Sequence, residues 1–237
     1  MNETVTFRYK STIARITSET EFIKIAEDEI IRRYNEIENY IAYYPAFGKT
    51  LKPYQVKDDA DRIVREMADA GRICGVGPMA AVAGAIAKYA VLAMQKAGAN
   101  FAIVDNGGDI AILNDQPVVV GIYCGPAEIH DLGLRLPARS TLTGVCTSSG
   151  VIGHSLSFGR AHASVIISDD PILADAAATA LGNRIRTKNP VLLENAMQDA
   201  LKFGVAGCIV IIDDYFGFAG EIPELCQVEM NENLIAK

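Results

Sequence analysis

Apolar and polar residues alternate through TVTFRYKSTIARIT, residues 4–17. That period of two predicts a strand or one arm of a hairpin. The period then lengthens: in EFIKIAEDEIIRRYNEIENYIAYYP, residues Phe22, Ile25, Ile30, Ile37 and Ile41 recur at helical spacing, and Pro45 stops the run. AFGKTLKPYQVKDDAD reads as a loop leading to a second, shorter helix, and the Gly-rich GRICGVGPMA leads into a long helix from about Pro78 to Lys96. This helix is apolar almost all round and is expected inside the protein. FAIVD and IAILN then flank Asn106-Gly107-Gly108-Asp109, a hairpin signal because Asn-Gly and Gly-Gly accept the positive φ of a tight turn. PVVVGIYCG adds another strand.

The second half follows a similar plan. ASVIIS predicts a strand, DDPILADAAATALGN and NPVLLENAMQDALKFG predict helices, and GCIVIIDDYFGFAG a strand and turn. Asp170 ahead of Pro171 marks the start of the first of these helices, since the carboxylate accepts from orphan amides and Pro tolerates the first helical position. In both halves an alanine-rich helix leads through a Gly to an Ile/Val strand and an Asp-containing turn, at an offset of roughly 100 residues. Tandem duplication is the expectation, with pseudo-repeats over about 1–125 and 126–237 of a single domain spanning 1–237. Helices grouped between hairpin-linked strands predict an α+β fold with antiparallel sheets packed against helices.

Half of the 237 residues are apolar, enough for a sizeable core, and the net charge of −7 argues against nucleic acid as a partner. MNETVTFRYKSTIARI lacks a signal-peptide pattern, and no membrane span with suitable flanks is evident, so a soluble cytoplasmic protein is expected. The cysteines Cys74, Cys124, Cys146, Cys208 and Cys226 are odd in number and lack CxxC spacing, which points to neither a disulfide framework nor a zinc site.

Four stretches carry candidate chemistry. Asp175, Thr179 and Asn183 lie four apart, about 40° apart around a helix, so their oxygens form one file. That file suits a hard cation; equally, Thr179 can bond back to the backbone and Asp175 can sit at the favourable end of the helix dipole. GVGPMA offers a helix start to a phosphate but lacks the third glycine of a dinucleotide loop, Ala80 standing there. DNGGD is both turn chemistry and a place where a ligand can approach backbone closely. CTSSGVIGHSLSFGRAH gathers hydroxyls, glycines, Arg160 and His154 into one stretch that reads as an irregular loop; Arg160 can pair with phosphate and His154 can handle a proton near neutral pH. GxSxG is missing, which disfavours a serine hydrolase. Lys88, inside an apolar helix, is open between a snorkelling residue and a buried charge awaiting an anion.

Read in order, these segments resemble the ApbE family of flavin transferases. AKYAV at 87–91 is similar to that family's KGYAV, IVDNGGDIAI at 103–112 to its GGD or GGE hairpin, and VGIYCGP at 120–126 to its next strand. TSSG at 147–150 is similar to its TSG, and ADAAATAL at 174–181 to its ADALATAL. The resemblance implies two tandem T-fold-like units and FMN transfer from FAD to an acceptor protein. It implies Asp175 and Thr179 as Mg²⁺ ligands, a suitable oxygen set for that ion. The same resemblance implies a flavin nucleotide or other phosphate-bearing ligand held by Asn106, Gly107, Gly108 and Asp109 together with Thr147, Ser148, Ser149 and Gly150, with His154 and Arg160 as catalytic groups.

The chain departs from the transferases at 154–159, where HSLSFG stands in place of HIIDPRTG and the central Asp-Pro-Arg-Thr is absent. GVGPMAAVAGAIA and GHSLSFG are closer to a compact, signal-less branch linked to sulfur assimilation. Two other readings therefore stand beside flavin binding: an accessory or carrier protein in sulfide or sulfur assimilation, with Cys146 as its handle, and a non-catalytic structural oligomer. A homo-oligomer is expected in either case, because T-fold-like sheets assemble edge to edge.

Overall fold

The computed structural model describes residues 2–125, 127–151 and 159–229. The opening alternation forms a hairpin, β1 (Asn2–Tyr9) and β2 (Thr12–Glu19), with Lys10 at positive φ in its turn. Helix α1 (Thr20–Tyr43) follows and stops ahead of Pro45, and α2 (Arg62–Cys74) ends on Gly75 in the left-handed conformation. The expected continuous helix from Pro78 is instead a 3-10 turn, Pro78–Ala81, followed by α3 (Val82–Lys96). Ala81 at φ −122 and ψ 8 breaks the helical path between them.

The hairpin around Asn106–Asp109 joins β3 (Ala102–Asp105) to β4 (Asp109–Asn114), as its turn chemistry predicts. Next come β5 (Val118–Ile122), β6 (Leu132–Leu136), β7 (Arg139–Ser148) and β8 (Ala163–Ser168). Helices α4 (Pro171–Arg184) and α5 (Pro190–Leu201) precede β9 (Gly207–Ile212), β10 (Tyr215–Gly220) and β11 (Glu224–Gln227). Both helix starts behave as read from sequence: Asp170 accepts from the Ile172 amide at 2.9 Å, and Asn189 accepts from Val191 and Leu192.

The fold is α+β with antiparallel pairing throughout. An eight-stranded sheet runs β1-β2-β3-β4-β7-β8-β9-β10, and a three-stranded sheet runs β11-β6-β5. The helices cover one face of the large sheet, where Ala14, Val104, Cys146, Ile166 and Val210 meet α3 and α4. The small sheet covers the other face over β4 and β7–β9, where Ile112, Val145, Val165 and Ile209 meet Val120 and Leu134. Every residue of β8 and β9 is buried, which is why ASVIIS and GCIVII lack the alternation of apolar and charged positions seen in β1 and β2.

Among the described residues one stretch, Pro78–Lys96, is apolar and long enough to cross a membrane. Here it packs between α1, α4 and the strands β3 and β4. Strands β6 and β7 have no counterpart in the sequence expectation. Their consequence is a correction: Cys146, Thr147 and Ser148 do not open an irregular loop but finish β7.

Candidate functional site

Glycines let four segments meet. A Cβ on Gly84 of α3 would stand 2.3 Å from Pro171 O and 2.8 Å from Asp175 Cβ, so only Gly permits α3 and α4 to cross this closely. A Cβ on Gly144 of β7 would stand 2.6 Å from Pro171 Cα, which seats the start of α4 directly on that strand. Close backbone approach fixes helix against helix and helix against sheet at one point. Into that point comes the β3–β4 turn: Asn106 Nδ2 donates to Ala83 O at 3.3 Å, and the Thr147 amide donates to Gly108 O at 3.1 Å. The turn is itself braced by the Gly108 amide donating to Asp105 Oδ1 at 2.8 Å.

Asp109 and Asp175 come near enough at this junction for the Asp175 charge to act on Asp109. Asp175 is buried, and its Oδ2 accepts from the Gly84 amide at 2.8 Å. Burial pushes its carboxyl up to about 7, with the Gly84 and Ala83 amides pulling in the opposite direction. Asp109, paired in register with Cys146, is pushed well above the carboxylate range by burial, then by the charges of Asp175 and Asp105. Cys146 is fully buried, donates to Pro171 O at 3.5 Å, and has its thiol raised by burial and by both carboxylates. Cys74 is pushed up to about 12 by burial, with Asp175 adding to it.

The amides at the start of α3 are thus taken by the Asp175 carboxylate. The helix start that GVGPMA offers to a phosphate is the 3-10 turn Pro78–Ala81; α3 begins four residues later, and its Ala83 and Gly84 amides go to a side chain of α4. In GVGPMA the glycines serve packing as well, since a Cβ on Gly77 would stand 2.0 Å from Thr50 O.

Among the described residues no three His, Cys, Asp or Glu side chains enclose a metal ion. The donors present are hard oxygens, two mutually repelling carboxylates with a hydroxyl on the next turn of α4. That set fits Mg²⁺, which needs only one or two carboxylates when waters and a ligand phosphate complete its shell.

A family model described as AbpE bacteria matches residues 8–201. The chain belongs to this family. Members similar along their whole length include a UPF0280 protein of Methanocella arvoryzae, 46% identical over 239 residues, covering 100% of this chain and 96% of that protein. Another, from Methanosarcina acetivorans, is 45% identical and covers 98% of this chain and 92% of its own length. Among solved structures the fold is similar to the flavin transferase ApbE from Vibrio cholerae, with TM-score 0.58, 12% identity and coverage of 92% of this chain and 96% of that one. It is also similar to the ApbE protein of Thermotoga maritima, with TM-score 0.57, 12% identity and full coverage of both chains.

On this AbpE-family frame the structure brings together Asn106, Gly107, Gly108, Asp109, Thr147 and Asp175. Thr179 is half-buried one turn beyond Asp175. Ser148 is buried at the end of β7 opposite Ser164 of β8, and Ser149 accepts from the Val151 amide. Gly150 lies against Gly159, and Gly159 against Gly182, so TSSG continues along α4 instead of closing on Asp175. Arg160 is exposed and held by its amide to Ile185 O at 2.7 Å, at the far end of α4. His154 lies outside the described residues. Sequence reasoning singled out Cys146 but did not place Asp105 or Gly84 beside Asp109 and Asp175. Only the flanking of Gly107-Gly108 by two aspartates hinted at Asp105.

Proposed function

We propose that the chain binds a flavin nucleotide through its phosphates, with Mg²⁺ at Asp175 and Thr179 and Asp109 facing the ion. The observation that carries this reading is the buried Asp175 carboxylate near half-buried Asp109, whose ionisation Asp175 opposes, beside a glycine turn with open space around it. Such a pair is costly to maintain unpaired and gains most from a divalent cation. The solved structures of similar fold include proteins titled flavin transferases, which supplies the ligand class.

When bound, the ion neutralises charge on the ligand's pyrophosphate. The chain's own groups do the rest. The Gly84 and Ala83 amides orient the Asp175 carboxylate. Gly107 and Gly108, at φ 74 and 98 with nothing within 4 Å of a built Cβ, admit a ligand against the backbone. Thr147, Ser148, Ser149 and Gly150 line the path along α4. Arg160, anchored ten residues beyond Asp175 and so about 15 Å along the helix, is assigned to the part of the nucleotide remote from its phosphates. His154 is assigned to proton transfer. The two ββ-helix-ββ halves, β1–β4 and β7–β10, are proposed as duplicated T-fold-like units, with the repeat boundary between β6 and β7.

The test is titration of purified protein with FAD, with and without Mg²⁺, followed by fluorescence, with chromatography for released AMP. Mg²⁺-dependent binding lost in Asp175→Ala supports the reading, and AMP release with flavin attached to an acceptor protein extends it to FMN transfer. Absence of any flavin binding at 100 μM-scale concentrations, about the weakest range expected for a cofactor site, overturns it. A sulfur-carrier role through Cys146 gains nothing from the geometry, because a buried thiol pushed up in pKa is a poor nucleophile.

A further inference from the structure

Lys88 lies four residues beyond Gly84 on α3, hence on the same face of that helix. Its side chain is only 16% exposed and its ammonium stands 3.2 Å from Glu66 of α2 and 3.1 Å from Asp170 Oδ1. That same Asp170 oxygen accepts from the Ile172 amide at 2.9 Å and so caps α4. One ammonium therefore ties three helices at the residue where α4 begins. Five residues on, Asp175 receives the Gly84 amide.

We infer that Lys88 is a positioning residue for Asp175. Gly84 fixes α3 against α4 at one point, about which the two helices can still turn, since a glycine contact has no side chain to lock the angle. The Lys88–Asp170 pair supplies the lock one turn away, where the helices would otherwise part. The Lys88 side chain is 16% exposed and that of Asp170 45%, so the contact is screened less than a pair exposed on both sides. The anion expected for Lys88 from its apolar surroundings is thus a pair of the protein's own carboxylates, and the consequence of the pairing is felt at Asp175.

The test compares Lys88→Met, Lys88→Arg and Asp170→Asn in the full chain by amide hydrogen exchange. Asp170→Asn retains an oxygen for the Ile172 amide while removing the charge that meets Lys88. The Gly84 amide reports the Asp175 contact, and the Ile166 amide, central in the sheet, reports global stability. Gly84 exchange is expected to rise about tenfold relative to Ile166 in Lys88→Met and Asp170→Asn, and to stay within about twofold of wild type in Lys88→Arg. Mn²⁺ affinity, read by electron paramagnetic resonance, should weaken about tenfold in the same two variants; this arm rests on the metal reading above. Gly84 and Ile166 changing together, or neither changing, overturns the inference, and Asp170→Asn decides if Lys88→Met does not fold. Selective loss at Gly84 in a protein whose wild type binds no Mn²⁺ keeps the positioning role and removes the metal reading instead.

Discussion

The Gly84 amide donates to Asp175 Oδ2 at 2.8 Å across 91 residues of sequence. The contact joins the start of α3 to the middle of α4 and exists only because Gly84 carries no side chain. Gly84→Ala is therefore expected to destabilise the protein in spite of Ala's higher helix propensity. Overpacking of about 1–3 kcal/mol exceeds the roughly 1 kcal/mol that propensity returns. Thermal melting checks the sign: an unchanged or higher Tm would show that α3 and α4 separate without cost.

Asp175→Asn keeps an oxygen for the Gly84 amide and removes a charge that burial disfavours. In the absence of divalent ions at pH 8 its Tm is expected to rise by about 2–4 °C, the response of a protein of this size to about 1 kcal/mol. The shift of Tm that Mg²⁺ and FAD give the wild type should be lost. A variant that is less stable yet still stabilised by Mg²⁺ and FAD would remove Asp175 from the site.

The thiols separate by burial. Cys74, Cys124, Cys146 and Cys208 are buried, and burial raises the pKa of each, whereas Cys226 is partly exposed. A chromogenic thiol reagent under native conditions should modify Cys226 first, with the other thiols reacting only on denaturation. Peptide mapping that finds Cys146 labelled early would restore it as a reactive handle.

Glu29 on α1 gives a pH dependence. Burial raises its pKa, but hydrogen bonds from Arg32 and Arg33 outweigh this and hold it below the usual carboxylate range. A lowered folded-state pKa means stability that is present above the unfolded value, about 4.3, and lost as pH falls through the folded value. Glu29→Gln should lower Tm at pH 7 and flatten the fall of Tm below about pH 4. Parallel wild-type and variant curves down to acid pH would contradict the assignment.

Much of the site was legible in pieces. Asn106–Asp109 announced its turn because positive φ is a local demand that glycine meets, and Asp170-Pro171 announced α4 because a cap is satisfied within its own first turn. Cys146, Thr147 and Ser148 were misread as loop, since small and hydroxylated residues look alike in a loop and in a strand buried under a helix. Lys88 stayed ambiguous for a related reason: its partners Glu66 and Asp170 come from two other helices.

The sequence by itself determined the α+β class, most of the helices and strands, and the file of oxygen-bearing side chains along α4. Each follows from periodicity or from chemistry completed within a few residues. Only the tertiary structure decided that Asp109 and Asp175 share one junction, that α3 begins on the carboxylate of another helix, and that Arg160 stands at the far end of α4. Those relationships depend on sheet order and on how closely two backbones can approach. Both are set by packing between distant segments, to which a local pattern of apolar and polar residues is blind.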